Sequence, residues 1–419
     1  MLPPNKIKPA QNKWLVLALL ASTFAVIVGL QTSSMPVLFK EISGDLNLNL
    51  VQIGTVWGFV SLGSIFAVPV GGILCDKLGA KRTIVMIGLI SGVTGAMRGL
   101  SNGIISLMAT TFLWGLISAA IMPAITMAAS QSTGRLKQGS AQGWIGIGGG
   151  TGFLLGSMIS ATWISPLLGG WRNVFFVYGA IAIVVSLIWV FRTEGSKPVE
   201  PQDSPAAVPF RKVFFSLLRN RNFWMLGLVL ITYQGCVVGM QGFLPYYLQD
   251  KGWAVAAAGG TLAVYSAVGM IGVIPLTMLS DRVGSRKFCL YLSFIAAIVG
   301  VGLLSLVQNW VLWILVILIG VFALMNSALC ATMSIETIQI GSAKSGTALG
   351  FILGFGQIGR AFAPPIGNSL AGIDNSFGWP FIFWAALAIV GIIILSMIRE
   401  TDWASRKTKY NVATDSDIA

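Results

Sequence analysis

Twelve apolar stretches, each close to the roughly 20 residues that a helix needs to cross a bilayer, are centred near residues 26, 62, 92, 117, 152, 182, 236, 267, 297, 322, 357 and 389. They consume most of the 419 residues, so the expected fold class is an all-α membrane protein. The balance of residue types agrees. Charged residues make up 10% of the chain, against about 25% in a soluble domain, and the mean hydropathy is +0.81. The fifty glycines fit as well, because small residues let helix backbones approach closely in lipid, where burying apolar side chains adds little drive for association.

The twelve spans are two copies of six. Asp76-Lys-Leu-Gly-Ala-Lys-Arg82 and Asp281-Arg-Val-Gly-Ser-Arg-Lys287 are one short charged turn written twice, 205 positions apart, each between two apolar runs. Trp14, Gly29 and Gln31 recur as Trp224, Gly239 and Gln241. Gly149 and Gly152 recur 207 positions on as Gly356 and Gly359, and Gly170-Trp171 as Gly378-Trp379. A repeat of this length sets the architecture. It gives a first bundle over 14–192, a second over 222–399, a linker over 193–221 with Pro198, Pro201, Pro205 and Pro209, and short ends at 1–13 and 400–419. The linker's last basic residues, Arg211, Lys212, Arg219 and Arg221, suit anionic headgroups.

The net charge of +13 is spread over many loops, which excludes a nucleic-acid face. Its sidedness is informative. With the N-terminus in the cytoplasm, only Lys40, Arg172 and Lys251 fall outside and only Arg98 and Arg360 fall within spans. The positive-inside rule then puts both termini in the cytoplasm of a cell (inner) membrane. Lys6, Lys8 and Lys13 before an apolar run imitate a cleaved leader, but the match of this run to the interior span at 224–248 argues that it stays. Cys75, Cys236, Cys289 and Cys330 lie in or beside spans with no metal-ligand spacing and read as small packing residues.

The repeated turn resembles a signature of the major facilitator superfamily. Gly72, Asp76, Lys77, Gly79, Lys81 and Arg82 match its loop motif between helices 2 and 3, and Asp281, Arg282, Gly284, Arg286 and Lys287 match the second copy, with Thr277 in place of the leading glycine. The resemblance covers nearly the whole chain. It implies a transporter, not an enzyme, that works by alternating access, two six-helix halves rocking about a central site. An Asp at a span end accepts backbone N–H bonds or pairs with Arg in one orientation only, and Gly79 and Gly284 permit the tight reversal.

Polar groups inside a membrane are costly, which makes them the candidates for function. Arg360 lies 16 residues past Lys344, roughly 24 Å along its helix, with Gly356, Gln357, Pro364 and Gly367 on its face. Helix 11 borders the cavity in the family that the chain resembles. Two readings stand side by side: contact with an anion or carboxylate, or a structural Arg that locks helices or reaches the headgroups. Phe153 occupies the matching position in the first half, so the fold does not require the charge. Arg98, near the outer end of a helix that is peripheral in the family, is expected to snorkel. Gln31 and Gln241 occupy matched places in cavity-lining helices, with Gln234 on the face of Gln241. Asn326 shares a face with Ala323, Cys330 and Met333, and helix 4 offers Gly115, Ser118, Met122 and Thr126. These groups serve either a ligand or one another. Tyr265 and Trp57 are possible cavity walls.

The run Gly143, Gly146, Gly148, Gly149, Gly150, Gly152 and Gly156 lacks the Lys-Ser/Thr ending of a phosphate loop and reads as close packing of helix 5. Glycine-rich fifth and eleventh helices resemble the nitrate/nitrite branch, yet residues 51–75 and 254–280 lack that branch's arginines, which speaks against nitrate. No histidine is present, and the acidic residues fall in loops, tails or span ends, Glu336 coming nearest to a span. Uniport, exchange, or co-transport with the proton carried on the substrate remain. No cofactor or metal is expected. The expected partners are a small-molecule solute and lipid, with a monomer as the working unit. The leading reading is transport of a small organic anion, with Arg360 as the charge contact and Gln31, Gln241, Asn326, Gln357 and Tyr265 around it. The alternatives are efflux of a lipophilic compound and a receptor or sensor without transport.

Overall fold

A computed structural model describes residues 13–133, 138–192, 220–337, 342–373 and 377–398, with a few side chains at helix ends excepted. The tail at 400–419 and nearly all of the linker lie outside the described residues. No strand occurs among the described residues. The first six long helices are α1 (Trp14–Leu46), α2 (Leu50–Leu78), α3 (Ala80–Met97), α4 (Ile104–Ser132), α5 (Gln142–Leu168) and α6 (Trp171–Arg192). The second six are α7 (Arg221–Asp250), α8 (Val255–Val283), α9 (Arg286–Leu303), α10 (Trp310–Thr337), α11 (Ser342–Ser369) and α12 (Trp379–Ser396).

Among the described residues, eleven helices are long and apolar enough to cross a membrane. The twelfth expected span, α11, forms over 28 residues but is not among those eleven; Gln357, Arg360, two prolines and Asn368 dilute its apolar content. Large apolar side chains point away from the protein, Phe191 at 83% exposure and Ile271 at 70%, as suits a chain whose solvent is lipid.

Local sequence explains the helix boundaries. Asn49 and Gln52 form a reciprocal cap at the start of α2, each side chain accepting the other's backbone N–H at 2.9 Å. Gly79 reverses the chain between α2 and α3 at φ +80°, and Gly284 does the same between α8 and α9 at φ +72°, a region that only glycine enters without strain. The end of the molecule that carries these two turns is named the inner end, and the opposite end the outer, after the sidedness expected from the charge asymmetry of the sequence.

The duplication reappears as packing. In the first half α1 lies on α5, α2 on α4 and α3 on α6; in the second, α7 lies on α11, α8 on α10 and α9 on α12. Glycine makes the first of these contacts possible in both. A Cβ on Gly152 would stand 2.2 Å from the Ala25 carbonyl oxygen, and one on Gly359 would stand 2.0 Å from that of Ile231. Gly148 and Gly156 meet α1 in the same way, so the glycine run of α5 is a packing stripe, as its position inside a span indicated.

The halves meet through α2 with α11 and α5 with α8, and their outer ends are closed. Trp57 Nε1 donates to the Val238 carbonyl at 3.1 Å, Asn368 Nδ2 to that of Leu50 at 2.9 Å, and Lys40 Nζ to that of Gln249 at 2.7 Å. One buried apolar cluster crosses the boundary, uniting Leu30, Met35 and Val37 with Val238 and Leu262. The outer rim of the first half is tied separately. Glu41 accepts from Ser165 Oγ at 2.7 Å and from the Trp171 backbone N–H at 2.8 Å, while Asp45 pairs with Arg172.

Candidate functional site

The second half brings together a polar group from three of its helices. Gln241 lies on α7, Tyr265 on α8, and Gln357 and Arg360 on α11, all partly buried. Their backbones are brought close because Gly356 and Gly359 let α11 lie against α7; a Cβ on Gly356 would touch the Gln234 side chain at 3.3 Å. The Tyr265 hydroxyl lies beside the Gln241 side chain and within electrostatic reach of the Arg360 guanidinium. Gln234 is held one layer away, donating to Ser327 Oγ at 3.0 Å.

Arg360 is the unusual member. Its Nε is buried without a hydrogen-bond acceptor, and among the described residues no carboxylate pairs with it. A guanidinium presents five donors in a planar fork that matches a carboxylate. Tyr265, Gln241 and Gln357 add a hydroxyl and two amides, which can donate or accept. The group can therefore neutralise one negative charge and orient the rest of a small polar solute.

The first half treats its own arginine differently. Arg98 was expected to snorkel, but it is 0% exposed. Its guanidinium sits between the faces of Trp114 and Phe175, 4.3 Å from each ring centroid. It donates through Nε to the Gly95 carbonyl at 3.1 Å, through Nη1 to the Gln31 carbonyl at 3.2 Å, and through Nη2 to Gln31 Oε1 at 2.7 Å. An Arg at mid-bilayer costs about 3 kcal/mol on insertion scales. Two desolvated aromatic faces, worth about 2 kcal/mol each, are of the size to offset that cost. Helix 3 turns this side chain inward because Trp114 of α4 and Phe175 of α6 make an aromatic slot there, and position along the helix gives no sign of it.

The remaining candidates fall into place around these two arginines. Gln31 is fully buried and held by Arg98, with its Nε2 left without a partner. Asn326 is fully buried too, donating to Ser293 Oγ on α9 at 2.9 Å. Both make their contacts within their own half. Trp57 belongs to the outer closure, and a Cβ on Gly242 would meet its ring. On α4, Gly115 packs against the Val60 carbonyl and Ser118 is buried.

At the repeated turns, Asp76 is exposed, and the side chains of Asp281, Glu336 and Lys344 lie outside the described residues. One lysine of each turn caps a neighbouring helix end. Lys81 Nζ donates to the Val190 carbonyl at 3.2 Å, and Lys287 Nζ to those of Ser396 and Ile398 at 3.1 and 2.7 Å. Cations suit helix C-termini. The sequence reading missed Asn368, Gln249 and Lys40 as parts of the closure; the only signal was a polar side chain near a span end.

Comparison with known proteins gives a consistent family. A family model described as Major Facilitator Superfamily matches residues 19–364. The chain is 24% identical to the 4-hydroxybenzoate transporter PcaK of Pseudomonas aeruginosa, over 92% of this chain and 93% of the relative. It is also 24% identical to the multidrug resistance protein MdtG of Yersinia enterocolitica, over 90% of this chain and 89% of the relative. In structure it resembles the nucleoside transporter NupG, with a TM-score of 0.73 at 17% identity, over 92% of this chain and 99% of that one. Fold likeness at such identity speaks for the architecture alone.

Proposed function

The chain belongs to the major facilitator superfamily, a family of membrane transporters, and on that premise we propose that it moves a small organic carboxylate by alternating access, with Arg360 as the charge contact. The observation that carries this reading is the Arg360 guanidinium itself, partly buried beside Tyr265, its Nε without an acceptor and no carboxylate beside it among the described residues. A cation kept in such a place without a counter-charge suits a ligand that brings its own negative charge. Tyr265, Gln241 and Gln357 orient the rest of the ligand. Gln31 and Asn326, fully buried and engaged with Arg98 and Ser293, support the helices in this conformation. The relative that transports 4-hydroxybenzoate is in keeping with an aromatic acid.

Both termini lie in the cytoplasm, the bundles over 14–192 and 222–399 rock as units, and a monomer suffices. The chain has no histidine, and the modes this reading allows are uniport, exchange, or co-transport with a proton carried by the solute; the first two keep the charge that Arg360 would meet. The likeness to a multidrug resistance protein favours one rival, export of lipophilic compounds with Arg360 as scaffold.

Uptake of labelled 4-hydroxybenzoate into proteoliposomes separates the two. Arg360→Ala should lower kcat/KM about 10- to 100-fold, the scale of losing a hydrogen bond to a charged partner, and Arg360→Lys should recover only part. Unchanged uptake in both variants would leave Arg360 out of the site. Thermal stabilisation of the parent by the acid should weaken with salt, whereas stabilisation by a lipophile should not.

A further inference from the structure

The first helix is broken where its partner in the second half is continuous. In α1 the residues Ala25–Leu30 form a π-turn, and Gln31 opens the segment that follows. Pro36 then withholds the N–H that the Thr32 carbonyl would accept. Three successive hydroxyls, Thr32, Ser33 and Ser34, bond back to carbonyls one turn earlier at 2.6, 3.0 and 3.1 Å, a pattern that bends helices. By contrast α7 runs as one α-helix of 30 residues even though it carries Pro245 near the matching place, so the π-turn and the run of hydroxyls, not the proline, set the two helices apart.

The break separates two jobs. Before it, Lys13–Phe24 packs on α4, α5 and α6 of its own half. After it, Gln31–Leu46 still packs on α5 of its own half but also reaches across to α7 and α8 and carries Val37 and Lys40 of the outer closure. Arg98 grips the first residue past the break through both the main-chain carbonyl and the side-chain oxygen. A methyl on Gly95 would stand 2.1 Å from Gln31 Oε1, so the grip needs that glycine too. At the place in α9 that matches Arg98, 205 positions on, the chain has Leu303. The half with the broken helix has the pin, and the half with the continuous helix has neither.

We propose that Arg98 is a positioning residue of the transport cycle, pinning Gln31 at the break in α1 so that the outer segment of that helix stays closed against α7 and α8. It acts on the outer gate without touching the solute. The inference rests on the alternating-access reading, and its test needs no knowledge of the solute.

Val238 is 3% exposed at the seam between the halves, and the four native cysteines are buried. A Val238→Cys protein in sealed membranes with the outer face accessible is treated with a membrane-impermeant maleimide, and its labelling rate is compared with that of the protein without the added cysteine. Adding Arg98→Met should raise the rate about fivefold or more, the scale of losing one hydrogen bond to a charged donor. Adding Gln31→Glu, which gives the guanidinium a carboxylate to hold, should lower it. A purely structural Arg98 would shift the melting temperature of the Met variant and leave the labelling rate where it was, which overturns the proposal. So does a change in the same direction for both variants. Weakened 4-hydroxybenzoate binding with unaltered labelling would make Arg98 a ligand contact instead, also against it. If Arg98→Met yields no folded protein, Gln31→Glu decides alone: slower labelling supports the pin, and equal or faster labelling removes it.

Discussion

Gln31 and Gln241 stand at matching positions of α1 and α7, and the two halves have put them to opposite uses. In the first half the amide is captured by Arg98, fully buried and walled by Trp114 and Phe175. In the second, Gln241 lies partly buried beside Tyr265, with Arg360 and its unpaired Nε close by. One duplicated scaffold therefore carries an arginine spent on holding a helix and another left free to meet a charge. The difference comes from single positions: Arg98 faces Leu303 across the repeat, and Arg360 faces Phe153. Divergence at those places costs the fold little, because the pairings set by glycine, such as Gly152 with Ala25 and Gly359 with Ile231, are kept in both copies.

The strongest way to break this comparison is through the shared scaffold. Gly152→Val and Gly359→Val should each destabilise their half by about 3 kcal/mol, the upper range for forcing extra carbons into a packed interior, and thermal unfolding in detergent should show similar losses. If Gly359→Val impaired transport alone with no loss of stability, the glycines would not be doing the same work in the two halves. A smaller effect is expected at Asn326. Replacing it by Leu removes a bond between α9 and α10 of a kind worth about 0.6 kcal/mol, which should lower the melting temperature slightly and leave 4-hydroxybenzoate affinity intact. A tenfold loss of affinity would return Asn326 to the binding site. The most conservative substitution is Tyr265→Phe, which keeps the ring and deletes the hydroxyl beside Arg360; uptake should weaken about threefold, as for one neutral hydrogen bond. An equal effect of Trp57→Phe, whose indole serves the outer closure, would show that the assay reads gate opening and not solute contact.

Much of the fold was legible because its causes are local or repetitive. Gly79 and Gly284 appear as turn residues in sequence and take positive φ in the structure. The glycine stripe of α5 lay inside a span, where close packing is its natural use, and Gly148, Gly152 and Gly156 meet α1 there. Composition alone did less well with α11, whose polar residues keep it outside the eleven clearly apolar helices although it packs tightly on α7 and α2. The candidate site was half legible. Arg360, Gln241 and Tyr265 come together, while Gln31 and Asn326 turn out to be engaged inside their own bundles. Arg98 was misjudged because its depth along α3 is readable and its direction is not. The π-turn in α1 left no mark, since Gly29 and Pro36 on either side of Gln31 have counterparts in Gly239 and Pro245 of the continuous α7.

The sequence by itself determined a twelve-helix membrane protein built from a doubled unit, since hydrophobic length, charge sidedness and a repeat at offsets of 205 to 210 positions are properties of the string and of lipid as a solvent. Only the tertiary structure decided what each buried polar group does. In a bilayer such a group must find partners within the protein, and whether an arginine meets two aromatic faces and an amide, as Arg98 does, or keeps its Nε without an acceptor, as Arg360 does, depends on how neighbouring helices are rotated about their axes. Spacing along the chain leaves that rotation undefined, and packing fixes it.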